Sequence, residues 1–304
     1  MGGSTSPAQV DERGQRMESL AQVTVNGLVL GLTYSLLALG FTLIFSIMGV
    51  VNIAHTDLYM LGGFIMFYLF GKFHLNFYIV LIIIMLVLGG AGVGLERGFF
   101  RRLRGKGFSG PMILSLGLSL LIEGAALVAF GEREKGVPSP IHGVINLWGV
   151  SFGAPRLLIM GVSIVLLISL FYFMGRVKSG QAMRALAQDP EAAYLQGIDI
   201  NRMSMLAFAI GVALAGVAGA LLSSISFVSY SIGSYLIMKC FVVVVLGGLG
   251  SLPGCLVGGM ILGFVESFSL SYLPSDVSYL AIFSLVLVVL LVRPQGIMGR
   301  KELT

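Results

Sequence analysis

The chain has 304 residues, 57% hydrophobic and only 11% charged, where an ordinary soluble domain carries roughly 25% charged residues. Apolar runs this long and numerous exclude a soluble or single-span protein, and their lack of alternation argues against a β-barrel. The net charge of +5 is no nucleic-acid signal, because the basic residues gather beside apolar runs, where they report topology.

Residues 1–18 are polar and lack an apolar stretch, so they read as an N-terminal extension and not as a cleavable signal peptide. Residues 19–304 then form one transmembrane domain. Apolar segments follow at about 24–48, 56–71, 77–95, 110–130, 156–175, 202–225, 235–250, 254–273 and 277–292. Most approach the ~20 residues that a bilayer crossing needs. The segments 56–71 and 235–250 are short and read as half-helices or re-entrant pieces. The expected fold is an all-α polytopic membrane protein of about eight or nine helices, some broken.

Basic clusters orient the chain. Arg97, Arg101, Arg102, Arg104 and Lys106 assign a loop at 96–109 to the cytoplasm. Arg176, Lys178, Arg184 and Arg202 do the same for 176–202, and Arg293, Arg300 and Lys301 for the C-terminus. The 131–155 loop has balanced charge, carries Trp148 as an interface anchor, and falls outside. Small residues recur four apart at Gly27/Gly31, Gly90/Gly94, Gly211/Ala215/Gly219, Gly254/Gly258 and Gly259/Gly263, a spacing that lets helices pack closely.

Three polar features interrupt the apolar pattern. Asn52-Ile-Ala-His55-Thr56-Asp57 lies between the first two segments, as either a short cytoplasmic turn or a polar break lining a pathway. The second insert runs from Arg184 to Gly197. Asp189 suits a helix N-cap, Pro190 the first helical position, and Glu191 the positive end of the dipole, with Ala192 and Ala193 following and Gly197 as the stop. So short a helix has almost no core of its own and calls for a partner, unless it is simply a capped loop. The third is Gly247-Gly248-Leu-Gly250-Ser-Leu-Pro253-Gly254, which forbids a continuous helix and forms either a plain turn or a functional break.

Candidate chemistry is sparse. Glu123 and Glu266 each sit inside an apolar run, where a carboxyl is either a pathway group or a hydrogen-bonded structural residue. Tyr34, Thr42 and Ser46 add hydroxyls that suit helix packing. Cys240 and Cys255 have no metal-ligand spacing, and His55, His74 and His142 are far apart, so no metal site is expected. The sequence holds no GxxxxGK(S/T), so an ATPase driving any uphill transport would be another polypeptide.

Taken in order, four stretches resemble the branched-chain amino acid ABC transporter permeases. They are NGLVLGLTYSLLALGFTLIFSIMGVVNIAHTDLYMLGG (26–63), RALAQDPEAAYLQGIDINRMSMLAFAIGVALAGVAGAL (184–221), GGLGSLPGCLVGGMILGFVES (247–267) and RPQGIMG (293–299). The chain is most similar to the shorter of the two permease subunits. The resemblance implies an ATP-driven importer in the bacterial inner membrane. It also implies pairing with a longer homologous permease, with two cytoplasmic ATPases that bind ATP and Mg, and with a periplasmic solute-binding protein. No cofactor is expected on this chain.

The resemblance makes 189–196 the coupling helix to the ATPase. A polar break and acids inside apolar runs lack a cheap solution in lipid, which places Asn52, His55, Asp57, Glu123 and Glu266 near the translocation route. The resemblance implies a small zwitterionic or amide-like solute whose ammonium or NH meets a carboxylate. Thr56-Asp57-Leu58 departs from the family's Gly-Glu-Val. Urea, short amides and aromatic acids are alternative substrates of the same superfamily. A proton-coupled carrier using Asp57, Glu123 or Glu266, and a passive channel, are alternatives of another class.

Overall fold

The computed structural model describes residues 7–104, 107, 109–141, 143–147, 150–293 and 295–299. Lys106, His142, Trp148, Arg300 and Lys301 lie outside the described residues. The helices in order are α1 (Pro7–Met48), α2 (His55–Met66), α3 (Phe77–Leu95), α4 (Arg101–Leu103), α5 (Ser109–Phe130) and α6 (Ala154–Arg176). Next come α7 (Lys178–Gln188), α8 (Pro190–Leu195), α9 (Ile200–Ser223), α10 (Ile232–Gly247), α11 (Leu252–Tyr272) and α12 (Ser275–Val292). All nine apolar segments correspond to helices. Six described helices are long and apolar enough to cross a membrane, the first of them over Leu20–Met48 of α1, while α10 is a shorter apolar helix.

The core is built around the Leu20–Met48 part of α1 and around α9, both largely buried. Glycine makes this possible. Gly40 and Gly211 bring α1 and α9 into backbone contact, and Gly62 and Gly219 do the same for α2 and α9. Gly27, Gly31 and Gly263 join α1 to α11. The Gly90/Gly94 expectation is corrected: both face outward with nothing near them, and it is Gly92, on the other face of α3, that meets Phe208 of α9. Spacing alone does not say which face of a helix meets a partner. Apolar side chains such as Ile82, Leu86, Leu120, Leu121, Val165 and Ile168 remain exposed on α3, α5 and α6, the arrangement expected of helices solvated by lipid tails.

Short strands close one end of the bundle. β1 (Lys135–Gly136) pairs with β4 (Phe227–Val228), and β2 (Val144–Leu147) forms an antiparallel hairpin with β3 (Val150–Gly153). Gly71, in the π-helical turn Phe67–Lys72 that extends α2, abuts Pro138 at this same ribbon end. The opposite end carries α7 and α8. There the expected 96–109 loop is largely helical: α3 continues through a π-helical stretch, Glu96–Phe100, into α4. The buried Glu96 carboxylate explains the extension. It accepts from Arg101 at 2.6 and 3.2 Å and from Arg104 at 2.9 Å, and Arg104 also donates to Asn201 Oδ1 at 2.7 Å, fastening this stretch to α9.

Candidate functional site

At the α8 end the polar insert forms two helices. α7 buries Gly180, Met183 and Leu186 on one face and leaves Arg184 exposed on the other. Gly180 has no Cβ to collide with the Phe173 carbonyl, so α7 can turn sharply off α6. Asp189 then caps α8, its Oδ1 accepting from the Glu191 and Ala192 amides at 3.0 and 2.9 Å. Pro190 starts the helix, Ala193 is its buried anchor, and Gly197 ends it at φ +80°, a value that costs glycine little. Asp199 caps α9 in the same manner through the Asn201 and Arg202 amides. Tyr194 and Leu195 are 67% and 83% exposed beside a cleft of about 670 Å³ that Arg104 and Ile198 also line. Two large side chains are therefore left uncovered on a helix that is capped at its start and stopped by glycine at its end.

The 52–57 stretch is no exposed turn. The chain re-enters the bundle after α1, and His55 Nε2 bonds the Leu37 carbonyl at 3.1 Å, about three turns above the end of α1. Asn52, His55, Thr56 and Asp57 are all buried. The Ser115 hydroxyl holds the entry, accepting from the Ile53 amide at 3.1 Å, with its proton shared between the Met112 carbonyl at 2.8 Å and the Val51 carbonyl at 3.2 Å. Among the described residues, the buried polar atoms without a hydrogen-bond partner include the two amide atoms of Asn52, His55 Nδ1 and Ser204 Oγ. Asp57 lies against Gly233, in the first turn of α10, where a Cβ would overlap its carboxylate. Ser119 and Glu123 of α5 are near enough to act on it electrostatically, but neither Asp57 oxygen completes a well-formed hydrogen bond. Glu123, half-buried, accepts instead from the Ser234 hydroxyl at 2.8 Å.

Glu266 is not a lone acid. It is 6% exposed and takes an ion pair from Lys239, itself 7% exposed, at 2.5 Å, together with the Tyr34 hydroxyl at 3.0 Å. Lys239 Nζ donates to the Tyr34 oxygen at 3.1 Å and lies 4.7 Å from the Tyr235 ring centre. Lys239 is not among the expected site residues, although a cation inside Ile-Met-Lys239-Cys-Phe-Val is as costly in lipid as Glu123 or Glu266. The predicted acids thus fall into two groups, Asp57 with Glu123 and Glu266 with Lys239. α10 connects them, presenting Gly233 and Ser234 to one and Lys239 to the other.

The 247–254 break is a tight turn. Gly248 and Gly250 take φ of +99° and +82°, Ser251 Oγ accepts from the Gly254 amide at 3.1 Å, and Pro253 sits in the first turn of α11. The C-terminal stretch is laid against it, with the Ile297 and Met298 amides donating to the Leu246 and Gly247 carbonyls at 2.8 and 3.1 Å. The hydroxyls of α1 also bind: Thr42 contacts the Cys255 thiol at 2.9 Å, and Ser46 donates to the Gly250 carbonyl at 3.3 Å.

Comparison with known proteins agrees with this architecture. Over 92% of its length the chain is 34% identical to the high-affinity branched-chain amino acid transport system permease protein BraD of Pseudomonas aeruginosa, of which it covers 96%. It is 32% identical, with the same coverage of both chains, to the LivH permease protein of Escherichia coli. A probable branched-chain amino acid transport permease of Methanocaldococcus jannaschii is 30% identical over 87% of this chain and 88% of its own. No solved structure matches the chain. Residues 23–292, nearly the whole helical bundle, match the permease component of the branched-chain amino acid transport system, and the chain belongs to that family.

Proposed function

We propose that this permease subunit carries a branched-chain or closely related amino acid inward, driven by ATP hydrolysis on cytoplasmic subunits that grip α8. The observation that carries the reading is α8 itself: a capped helix with Tyr194 and Leu195 uncovered at the most basic end of the bundle. The positive-inside rule assigns that end, with Arg97, Arg102, Arg176, Lys178 and Arg202, to the cytoplasm. The C-terminus falls on the same side, and the ribbon end faces the periplasm, where a solute-binding protein delivers substrate. The expected assembly pairs this chain with a longer homologous permease and two ATPases, which hold the ATP and Mg.

The chain's contribution follows from its connections. A force on α8 passes through the short 196–199 link to α9, which packs along α1, α2 and α3. It also reaches the α3 extension through Asn201, Arg104 and Glu96. Closure of the ATPases can therefore tilt several helices together, as in a hinge or shear transition between two packed states. ATP shifts that balance only as far as it binds one state more tightly than the other. The amino-acid substrate is favoured by the permeases that the chain resembles over nearly their whole length.

Leu195→Cys in the assembled transporter tests the coupling role. The expected result is rapid crosslinking to an ATPase subunit through a short bifunctional reagent, at a rate that changes when ATP is bound. Free access of a bulky thiol reagent to position 195 in the assembled complex, with no crosslink, would contradict it.

A further inference from the structure

Lys239 and Glu266 line a cavity of about 430 Å³ at the ribbon end of the bundle, between α1, α10 and α11. Its size lies within the ~300–1,000 Å³ of small-molecule sites. Lys239 sits about two turns below the start of α10, and Glu266 under two turns from the end of α11, so the pair is set back from the rim. The remaining wall includes Val29, Leu30, Leu222 and Leu236, with Arg156 of α6 adding a second positive charge. The cavity is thus a mainly apolar pocket, with Asn26, Ser226 and Ser271 also on its wall and a paired ammonium and carboxylate at its polar side.

We propose that this ion pair recognises the backbone of a zwitterionic α-amino acid as it enters the membrane domain, the substrate carboxylate taking Lys239 and its ammonium taking Glu266. The proposal rests on the importer reading above and names the substrate class of its site. The charge arithmetic favours a zwitterion over other small solutes. Inserting one between Lys239 and Glu266 converts one ion pair into two and leaves the net charge of the site unchanged. A neutral amide or urea has no charge with which to part the pair, and a simple acid or amine satisfies one partner while stranding the other in an apolar wall. Tyr34, bonded to both residues, can hold the separated groups in register. Arg156 attracts the carboxylate, and the apolar wall accepts an aliphatic side chain. Because the resting pair competes with substrate, binding is weak, as a transport route requires.

A purely structural ion pair makes a different prediction, because replacing both members of a buried pair by uncharged residues is commonly neutral or stabilising. In the complete transporter with its binding protein, Lys239→Met combined with Glu266→Gln should assemble and co-purify with the ATPases, yet lower ATP-driven leucine uptake by about tenfold or more. Wild-type uptake by this double variant would overturn the proposal while leaving the importer reading intact. Absence of ATP-driven uptake by the unaltered transporter would instead count against that reading.

A second measurement keeps both charges in place and needs no transport. Leu270→Cys puts a thiol on the cavity wall, while Cys240 and Cys255 are buried. In membranes, leucine at millimolar concentration should slow labelling of that thiol, and leucinamide and 4-methylpentanoate should not. Equal protection by all three, or none by leucine, would overturn the site.

Discussion

Lys239 shows how a single residue can escape a reading of the sequence. Most basic residues of the chain mark loops and topology, which masks the one inside an apolar helix even though its partner, Glu266, lies 27 positions on. The pairing itself is tertiary: α10 and α11 run antiparallel about the Gly247/Gly254 contact, and that contact sets which residues face each other. Asp57 and Gly233 give a sharper example. Nothing local says that an acid on α2 needs a residue without a side chain on α10. The close approach predicts that Gly233→Ala destabilises the protein by about 1–3 kcal/mol through overpacking. Asp57→Ala in the same chain should recover much of the loss, because the two residues share one space. Thermal unfolding of the detergent-purified single and double variants measures this. Simple additivity would show that the two do not meet.

At the scale of elements, α8 was legible because capping is local chemistry. Asp189, Pro190 and Gly197 occupy the positions their conformational preferences favour, and the hydrogen bonds follow. Asp189→Ala with Glu191→Ala should cost about 1 kcal/mol for the cap and ~0.3–1 kcal/mol for the lost charge near the helix N-terminus. Membrane insertion should be normal and ATPase association weakened, which co-purification in detergent reads directly. Undiminished association together with wild-type transport would show that α8 is a capped loop without a coupling role. The neighbouring α7 and the extension of α3 were less legible. α7 depends on burying Met183 and Leu186 beneath the bundle, and the extension depends on Glu96 meeting Arg101 and Arg104 of the following turns. A run of arginines looks like a loop until their carboxylate partner is placed.

For the whole molecule, nine apolar segments and their approximate limits were readable because lipid demands long uncharged helices. The re-entry of residues 49–54 was not, since composition cannot separate a turn at the surface from one that climbs back into the bundle. Only the bond from His55 to Leu37 and the burial of Asn52 and Asp57 distinguish them. The resulting molecule has a basic end that presents α8, an opposite end that opens into the Lys239–Glu266 cavity, and a buried polar break between them. That arrangement suits a route that is open to one side at a time and is driven from the α8 end. A carrier coupled to protons through the same acids would have no use for an exposed α8. Leucine uptake into proteoliposomes holding the complete transporter, with ATP supplied on the side of the ATPases and the binding protein on the other, separates these mechanisms. For an ATP-driven importer, accumulation against a gradient should require ATP and the binding protein and be unaffected by collapsing the proton gradient. Accumulation driven by a pH difference without ATP, or mere equilibration without either, would contradict it.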